Sequence, residues 1–300
     1  MTAIDPKLIE FATDRQREYL AAIEKHGSGR QAAIALGVNE NRVNTAMRSL
    51  RRRVERETKK LPPKPREVTA GQVVMHVPDL HCPFMHEDAP AFIRACKEKY
   101  QPTIIVLAGD ELDQHAISAH DADPNGYSAG HELTAGLKQL EQIYAIFKEA
   151  LVCESNHGQR PFKRAYKAGL PSQYMKTYAE FMDAPQGWVW DDEFEIDGVV
   201  YTHGEAATGA NGALQLAIRM GKSQAVGHWH GNAGASYFYN NSKLLFGLYS
   251  GCLIDQKAYA FRYNKHFKLK PVLGLSIIDR GVPLFVPMHT DAEGRWNGVV

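Results

Sequence analysis

The spacing of hydrophobic and polar positions changes along the chain, from a helical period before residue 60 to short apolar runs after residue 70. In the first part, Tyr19, Leu20 and Ile23 fall on one stripe of a helix that Thr13 or Asp14 can cap. Glycines follow that helix and the next one. We therefore predict three helices, over residues 13–26, 30–36 and 39–59.

The second part alternates apolar runs of strand length with amphipathic segments, and this order predicts a parallel sheet covered by helices. Within the helix at 87–100, Phe92, Ile93 and Cys96 form the stripe expected to be buried. The predicted strands and helices lie at 72–77, 87–100, 103–108, 132–150, 151–153 and 211–220. Turn residues predict hairpins at Asp197-Gly198, Asn240-Asn241 and Asp279-Arg280-Gly281.

Three prolines within residues 62–65 indicate an extended linker between these two parts. The sequence therefore predicts a small all-α domain over residues 1–60, a linker over 61–70 and an α/β domain over 71–300. Residues 1–70 carry 15 Lys or Arg against 9 Asp or Glu, so the acidic excess lies in the second domain. This asymmetry indicates two different surfaces.

The helices of the first domain have the spacing of a helix-turn-helix, with Ala33 four residues before Gly37. Residues 13–56 resemble the small helix-turn-helix regions of phage packaging and regulatory proteins. The resemblance implies a nucleic-acid partner, with DNA favoured; a helical appendage used for oligomerisation is the alternative. The candidate contact residues are Asn41, Arg42, Asn44, Thr45, Arg48, Arg51 and Arg52.

Composition and cysteine usage favour a soluble cytoplasmic protein, and the resemblance of residues 13–56 to phage proteins implies a bacterial or phage-infected host cytoplasm. The chain shows no apolar run of membrane-spanning length and no secretory signal, so no membrane partner is expected. Its four cysteines lack C-x-x-C spacing, which fits reduced thiols. The oligomeric state is left open, a dimer among the alternatives.

Residue types that bind divalent metals follow several of the apolar runs. Asp79-x-His81 and His228-x-His230 each place two such side chains on one loop, and Asp110 ends a β-branched run. Asn156 and His203 complete the set. Seven candidate ligands are too many for one ion and suit two ions that share a bridge.

At this point residues 72–290 resemble the calcineurin-like metallophosphoesterases, whose motifs are D-x-H, G-D-x-x-D, G-N-H, a lone H and G-H-x-H. The resemblance implies a four-layer α/β/β/α sandwich of two mixed sheets. It also implies one metal on Asp79, His81, Asp110 and His230, and a second on Asp110, Asn156, His203 and His228. The ions implied are Mn²⁺ above all, with Fe, Zn or Ni as alternatives.

By the same resemblance, His157 orients the phosphate and protonates the leaving oxygen, and Asp113 holds His157. The chain departs from the phosphoprotein phosphatases of that superfamily, because Gln114 follows Asp113 and Gly158 follows His157. Arg160, Lys163 and Arg164 are candidates to contact the phosphate instead, and an ordinary solvated helix face is the alternative.

A DNA-binding domain joined to a phosphoesterase domain favours a metal-dependent phosphodiesterase or nuclease acting on DNA. A phosphomonoesterase or nucleotide phosphodiesterase is the second interpretation. The third is a non-catalytic DNA-binding regulator or packaging factor whose metal site is structural.

Overall fold

A computed structural model describes residues 6–58, 71–119, 126–257 and 271–300 of the chain. The chain divides into two compact units, Met1–Glu67 and Val68–Val300. The predicted linker over residues 61–70 lies outside the described residues.

Four helices make up the described part of the first unit: α1 Pro6–Glu10, α2 Asp14–His26, α3 Gly29–Ala35 and α4 Glu40–Thr58. Thr13 caps α2, since its hydroxyl accepts from Gln16 N at 3.3 Å and Gln16 Oε1 accepts from Thr13 N at 3.0 Å. The apolar stripes of α2 and α4 meet in a small core that contains Leu20 and Leu50. The three helices predicted for this part therefore form, with α1 as an addition.

Eleven strands lie in the described part of the second unit, in two mixed sheets. The first sheet has the order β11-β10-β1-β2-β3-β4, and its parallel strands are β1, β2, β3 and β4. Its strands are β1 Val73–Val77, β2 Ile104–Leu107, β3 Glu149–Cys153, β4 Gly187–Asp191, β10 Gly274–Asp279 and β11 Val282–Pro287.

The second sheet has the order β5-β6-β7-β9-β8, in which β6, β7 and β9 run parallel. Its strands are β5 Glu193–Ile196, β6 Val199–Thr202, β7 Ser223–Val226, β8 Ala233–Tyr239 and β9 Leu244–Ser250. Turns at Asp197-Gly198, Asn240-Asn241 and Arg280-Gly281 connect antiparallel pairs, so the three predicted hairpins form.

Alternation along the strands decides which layer each side chain joins. Val74 and Val106 face the second sheet and pack with Tyr201, whereas Met75 and Leu107 face the helices of the first sheet. Those helices are α5 Ala89–Tyr100, α6 Ala129–Ile146, α7 Arg160–Lys167 and α8 Tyr178–Phe181. Helix α9 Gly212–Met220 packs on the second sheet. Two mixed sheets thus lie face to face between helices.

The prediction of a helix over residues 132–150 was wrong at both ends. Ser128 caps α6, whose first residue is Ala129, and Phe147 adopts an extended conformation that ends the helix. Residues Glu149 and Ala150 instead pair with β4, because sheet hydrogen bonding at this edge outweighs the helical periodicity of the segment. The sequence also did not indicate β4 itself or the short α8.

Within the described part of the chain, none of the helices combines the length and the apolar character needed to cross a bilayer.

Candidate metal centre

The candidate ligands follow strands whose carboxyl ends meet at one edge of the sandwich. Asp79 and His81 follow β1, and Asp110 follows β2. Because β1 and β2 are parallel neighbours, their loops meet, and His81 N donates to Asp110 O at 2.8 Å. In the second sheet His203 follows β6 and His228 follows β7, again parallel neighbours.

The loops that carry these side chains adopt a backbone conformation that side chains other than glycine seldom take. The φ angles of His81, Asp110 and His228 are 50°, 52° and 62°. Each such residue costs about 1–2 kcal/mol relative to an ordinary conformation. Three of the seven candidate ligands therefore adopt a strained backbone conformation. This strain indicates that the surrounding packing holds these loops in the conformation that the site requires.

Four of the candidate ligands form a first cluster: Asp79, His81, Asp110 and His230, with one donor atom from each lying within 4.8 Å of the others. His230 Nε2 lies 2.8 Å from Asp79 Oδ2, and His81 Nε2 lies 3.3 Å from Asp110 Oδ2. All but His230 are buried. The first four-residue set expected from the resemblance is therefore brought together.

A second cluster contains Asp110, His203 and His228. His203 Nε2 lies 3.4 Å from Asp110 Oδ2 and 3.0 Å from His228 Nδ1. Asn156 Oδ1 lies 2.7 Å from the same His203 Nε2. The second expected set thus also converges, and Asp110 Oδ2 faces both clusters.

Hydrogen bonds fix which nitrogen of two rings faces the clusters. A carbonyl oxygen only accepts, so His203 Nδ1 donates to Ala108 O at 2.8 Å and the lone pair of the neutral ring is on Nε2. His81 Nδ1 likewise donates to the Asp113 carboxylate at 2.6 Å. A carboxylate that orients a histidine in this way is the usual partner of a metal-bound imidazole.

The carboxylates beside His81 raise the pKa of its imidazole. Burial works against a charged His81, but its hydrogen bonds to Asp110 and Asp113 outweigh burial and raise its pKa to about 10. Burial also opposes ionisation of Asp110, yet the surrounding histidines hold its pKa well below the usual range. These carboxylates therefore favour positive charge beside them, from protons or from a cation.

An unpaired carboxylate oxygen of Asp79 supports a bound cation. Asp79 Oδ1 is buried and has no hydrogen-bond partner among the described residues. A Cβ at Gly227 would lie 2.2 Å from this oxygen and 2.9 Å from Ala108 Cβ, so only glycine can pack this closely against Asp79. A buried carboxylate oxygen without a partner is costly unless a cation satisfies it. The donor set and this unpaired oxygen fit divalent ions.

The two residues expected to act on the substrate lie beside the clusters. His157 Nδ1 donates to Asp113 O at 2.5 Å, while the Asp113 carboxylate bonds to His81, so Asp113 holds His157 through its main chain. Burial lowers the pKa of His157 to about 4. His157 Nε2 accepts from Arg160 Nη2 at 2.9 Å, so the ring is neutral and Arg160 occupies its Nε2 in this structure.

Of the candidate phosphate contacts, Arg160 reaches the site and Arg164 does not. Arg160 Nη1 also donates to Asp113 O at 2.7 Å. Arg164 donates to Ile117 O at 2.9 Å and to Ser118 O, which anchors the turn after Gln114 rather than facing the clusters.

Sequence reasoning missed Ser155. Its hydroxyl accepts from Asp110 N at 3.0 Å and from Gly158 N at 3.1 Å, so it joins the loop after β2 to the loop after β3. Its place directly before Asn156 was the signal available in the sequence.

The candidate nucleic-acid contacts lie on α4 in the first unit. Asn41, Arg42, Asn44, Thr45 and Arg48 are all exposed, whereas Val43 and Leu50 of the same helix are fully buried. The side chains of Arg51 and Arg52 lie outside what the structure describes.

Comparison with known proteins adds little to this geometry. No family model and no curated protein matches the chain. Among solved structures, Vacuolar Protein Sorting 29 from Cryptosporidium parvum matches 73% of this chain and 97% of its own, with 14% identity and a TM-score of 0.37. Vps29 from Chaetomium thermophilum matches 75% of this chain and 94% of its own, with 11% identity and a TM-score of 0.39. At these TM-scores neither likeness carries an argument about function.

Proposed function

We propose that the Val68–Val300 unit hydrolyses phosphate esters at a centre of two divalent metal ions. The observation that carries the proposal is the position of Asp110, whose Oδ2 lies 3.3 Å from His81 Nε2 and 3.4 Å from His203 Nε2. One carboxylate thereby serves two separate clusters. Two ions sharing a carboxylate polarise phosphoryl oxygens and lower the pKa of a water nucleophile, and Mn²⁺ is the ion expected first.

Side chains of the protein orient the phosphate in this proposal. Arg160 presents a guanidinium beside His157, and Asp113 fixes both through its carbonyl oxygen. A planar guanidinium suits the paired oxygens of a phosphate. We therefore assign the phosphate contact to Arg160 and not to Arg164. Proton transfer from His157 to the leaving oxygen stays a prediction. It requires Arg160 to leave Nε2 and Nε2 to take up a proton from solvent first, because the neutral ring carries its only proton on Nδ1.

The more specific proposal is that the ester is a phosphodiester of nucleic acid, with DNA favoured. It is supported by the exposed polar and basic face of α4, since such a face binds phosphates and base edges in helix-turn-helix proteins. A nucleic-acid-binding unit in the same chain raises the local concentration of phosphodiester at the hydrolytic unit.

The test compares hydrolysis of bis-p-nitrophenyl phosphate and p-nitrophenyl phosphate by the full chain with Mn²⁺. We expect turnover of the diester that His157→Ala lowers about 10²-fold or more. His289→Ala removes an exposed histidine and serves as the matched control. Turnover of the monoester alone would replace the nuclease proposal by a phosphomonoesterase. Two metals bound per chain without turnover of either ester would contradict enzymatic function and favour a structural metal site.

A further inference from the structure

A cavity of about 420 Å³ lies beside the candidate metal centre, between the turn after Gln114 and the starts of α6 and α7. Its volume is within the range of small-molecule sites. Carbon atoms form nearly all of its lining, and the apolar side chains in it include Leu112, Ile117, Leu133, Phe162, Tyr174 and Phe181.

The wall of this cavity is continuous with the residues that face the clusters. Gln114 lines the cavity, and its Nε2 donates to His157 O at 3.1 Å. Arg160 contacts the His157 ring, and the next two residues, Pro161 and Phe162, belong to the cavity wall. Consecutive Cα atoms are about 3.8 Å apart, so the wall begins within one or two residues of Arg160. Because Gln114 both lines the cavity and bonds to His157, a group carried by a phosphate at His157 and Arg160 lies close enough to reach the cavity.

The polar side chains of the lining are mostly occupied within the protein. Both carboxylate oxygens of Glu132 accept backbone bonds, from His115 N at 2.6 Å and Ala116 N at 2.7 Å. Tyr174 and Lys176 are exposed at the opening, and the Tyr174 side chain is 77% exposed. The cavity thus suits a group with an apolar face whose polar edge stays in water.

We propose that this cavity binds the base of an unpaired nucleotide next to the phosphate that is hydrolysed. The proposal rests on the proposed phosphoester hydrolysis and narrows its substrate to single-stranded nucleic acid. A base in a duplex is stacked and paired, and it must leave the helix to enter such a cavity. Aromatic faces such as those of Phe162 and Tyr174 stack on any base, so the cavity confers little sequence preference.

Two pairs of variants test the cavity. Gly130 lines it at the start of α6, and a Cβ there meets nothing within 4 Å, so Gly130→Phe adds a bulky side chain at the cavity wall while Gly130→Ala adds only a methyl group. Tyr174→Ala removes an aromatic face from the opening. Tyr166→Ala is its control, because Tyr166 is also 77% exposed and does not line the cavity.

The first measurement uses no catalysis. Calorimetry with EDTA present compares binding of thymidine 5′-monophosphate and inorganic phosphate to the full chain. We expect the nucleotide to bind more tightly, and Tyr174→Ala and Gly130→Phe to weaken it about fivefold or more, with both controls unchanged. If Gly130→Phe does not fold, the nucleotide affinity of Tyr174→Ala relative to Tyr166→Ala still tests the proposal. Equal binding by all variants would overturn the proposal.

The second measurement uses Mn²⁺ and compares thymidine 5′-(p-nitrophenyl phosphate), methyl p-nitrophenyl phosphate and octyl p-nitrophenyl phosphate. We expect the highest kcat/KM for the thymidine ester, and we expect Gly130→Phe to abolish this preference. We also expect faster cleavage of a single-stranded oligonucleotide than of its duplex. Hydrolysis with no thymidine advantage would overturn the cavity proposal alone. A preference for the octyl ester would also overturn it and favour a hydrocarbon substituent. If none of these esters is hydrolysed, the proposed function is contradicted. Nucleotide binding that Gly130→Phe weakens would then still support the proposal that the cavity binds a base.

Discussion

Two regions of this chain carry candidate functional residues, and they differ in how far their surroundings constrain them. Asp79, His81 and Asp110 are buried, follow two neighbouring strands and each offer a ligand atom within 4.8 Å of the others. Among the candidate contacts on α4, Asn41, Arg42, Asn44, Thr45 and Arg48 are exposed and belong to a single helix.

This difference decides how strongly the position of each set of residues indicates a function. Burying Asp79, Asp110 and several imidazoles costs several kcal/mol per charge unless a partner or a cation compensates, so their convergence demands a chemical reason. An exposed arginine on a helix costs nothing to solvate, and its position alone is compatible with a merely solvated surface. The convergence of metal-binding residue types therefore follows from the geometry, whereas the proposal of DNA binding rests on the exposed face of α4 alone.

The largest effect is expected for Asp110→Asn. The neutral amide removes the charge that both clusters share, so we expect loss of bound Mn²⁺ and at least about a 10²-fold fall in phosphodiester hydrolysis. Metal content per chain after gel filtration and the hydrolysis rate are the measurements. Asp192→Asn, at an exposed aspartate, should leave both unchanged. Full metal content in Asp110→Asn would show that the clusters do not act as one centre.

A smaller effect is expected for Asp113→Asn. This change weakens the bond that holds the His81 ring in its orientation, and changes of this kind lower metal affinity about 10–100-fold. Competition with a chromogenic chelator measures the affinity. An affinity equal to that of the parent protein would mean that the Asp113 carboxylate has no part in holding the ligand.

Gly227→Ala probes the close packing against Asp79 without altering any charge. Its Cβ would approach Asp79 Oδ1 to 2.2 Å, so the loop must shift. We expect this shift to lower the free energy of unfolding by about 1–3 kcal/mol and also to weaken metal binding. Urea unfolding measures the first effect. Gly130→Ala is the control, because its Cβ meets nothing within 4 Å and helix propensity favours alanine. Equal stability of Gly227→Ala and the parent would argue against a tightly built site.

The smallest contrast concerns α4, where Arg48→Glu should weaken DNA binding uniformly across sequences and lower the salt dependence by about one unit of slope. Fluorescence anisotropy of a labelled duplex across a salt series measures both quantities. Arg94→Glu makes the same charge change on α5 and should have no such effect. If the two variants behave alike, the helical unit serves another purpose, such as assembly.

Much of the fold could be predicted because local patterns and global packing agree. The stripe of Phe92, Ile93 and Cys96 is fully buried as expected, and Asp197-Gly198 forms the turn between β5 and β6. The end of α6 could not be predicted, because residues 149–150 acquire their strand conformation only from pairing with β4. A pairing partner 38 residues away leaves no trace in the periodicity of the segment itself.

The sequence by itself determined which residues had the chemistry to bind metals, since Asp79, His81, Asp110, Asn156, His203, His228 and His230 each follow a strand in a recognisable motif. It could not show that Ser155 joins two of their loops, that Asp113 orients His81, or that an apolar cavity lies next to Arg160. Those contacts join residues far apart in the chain, and their distances exist only once the two sheets have packed.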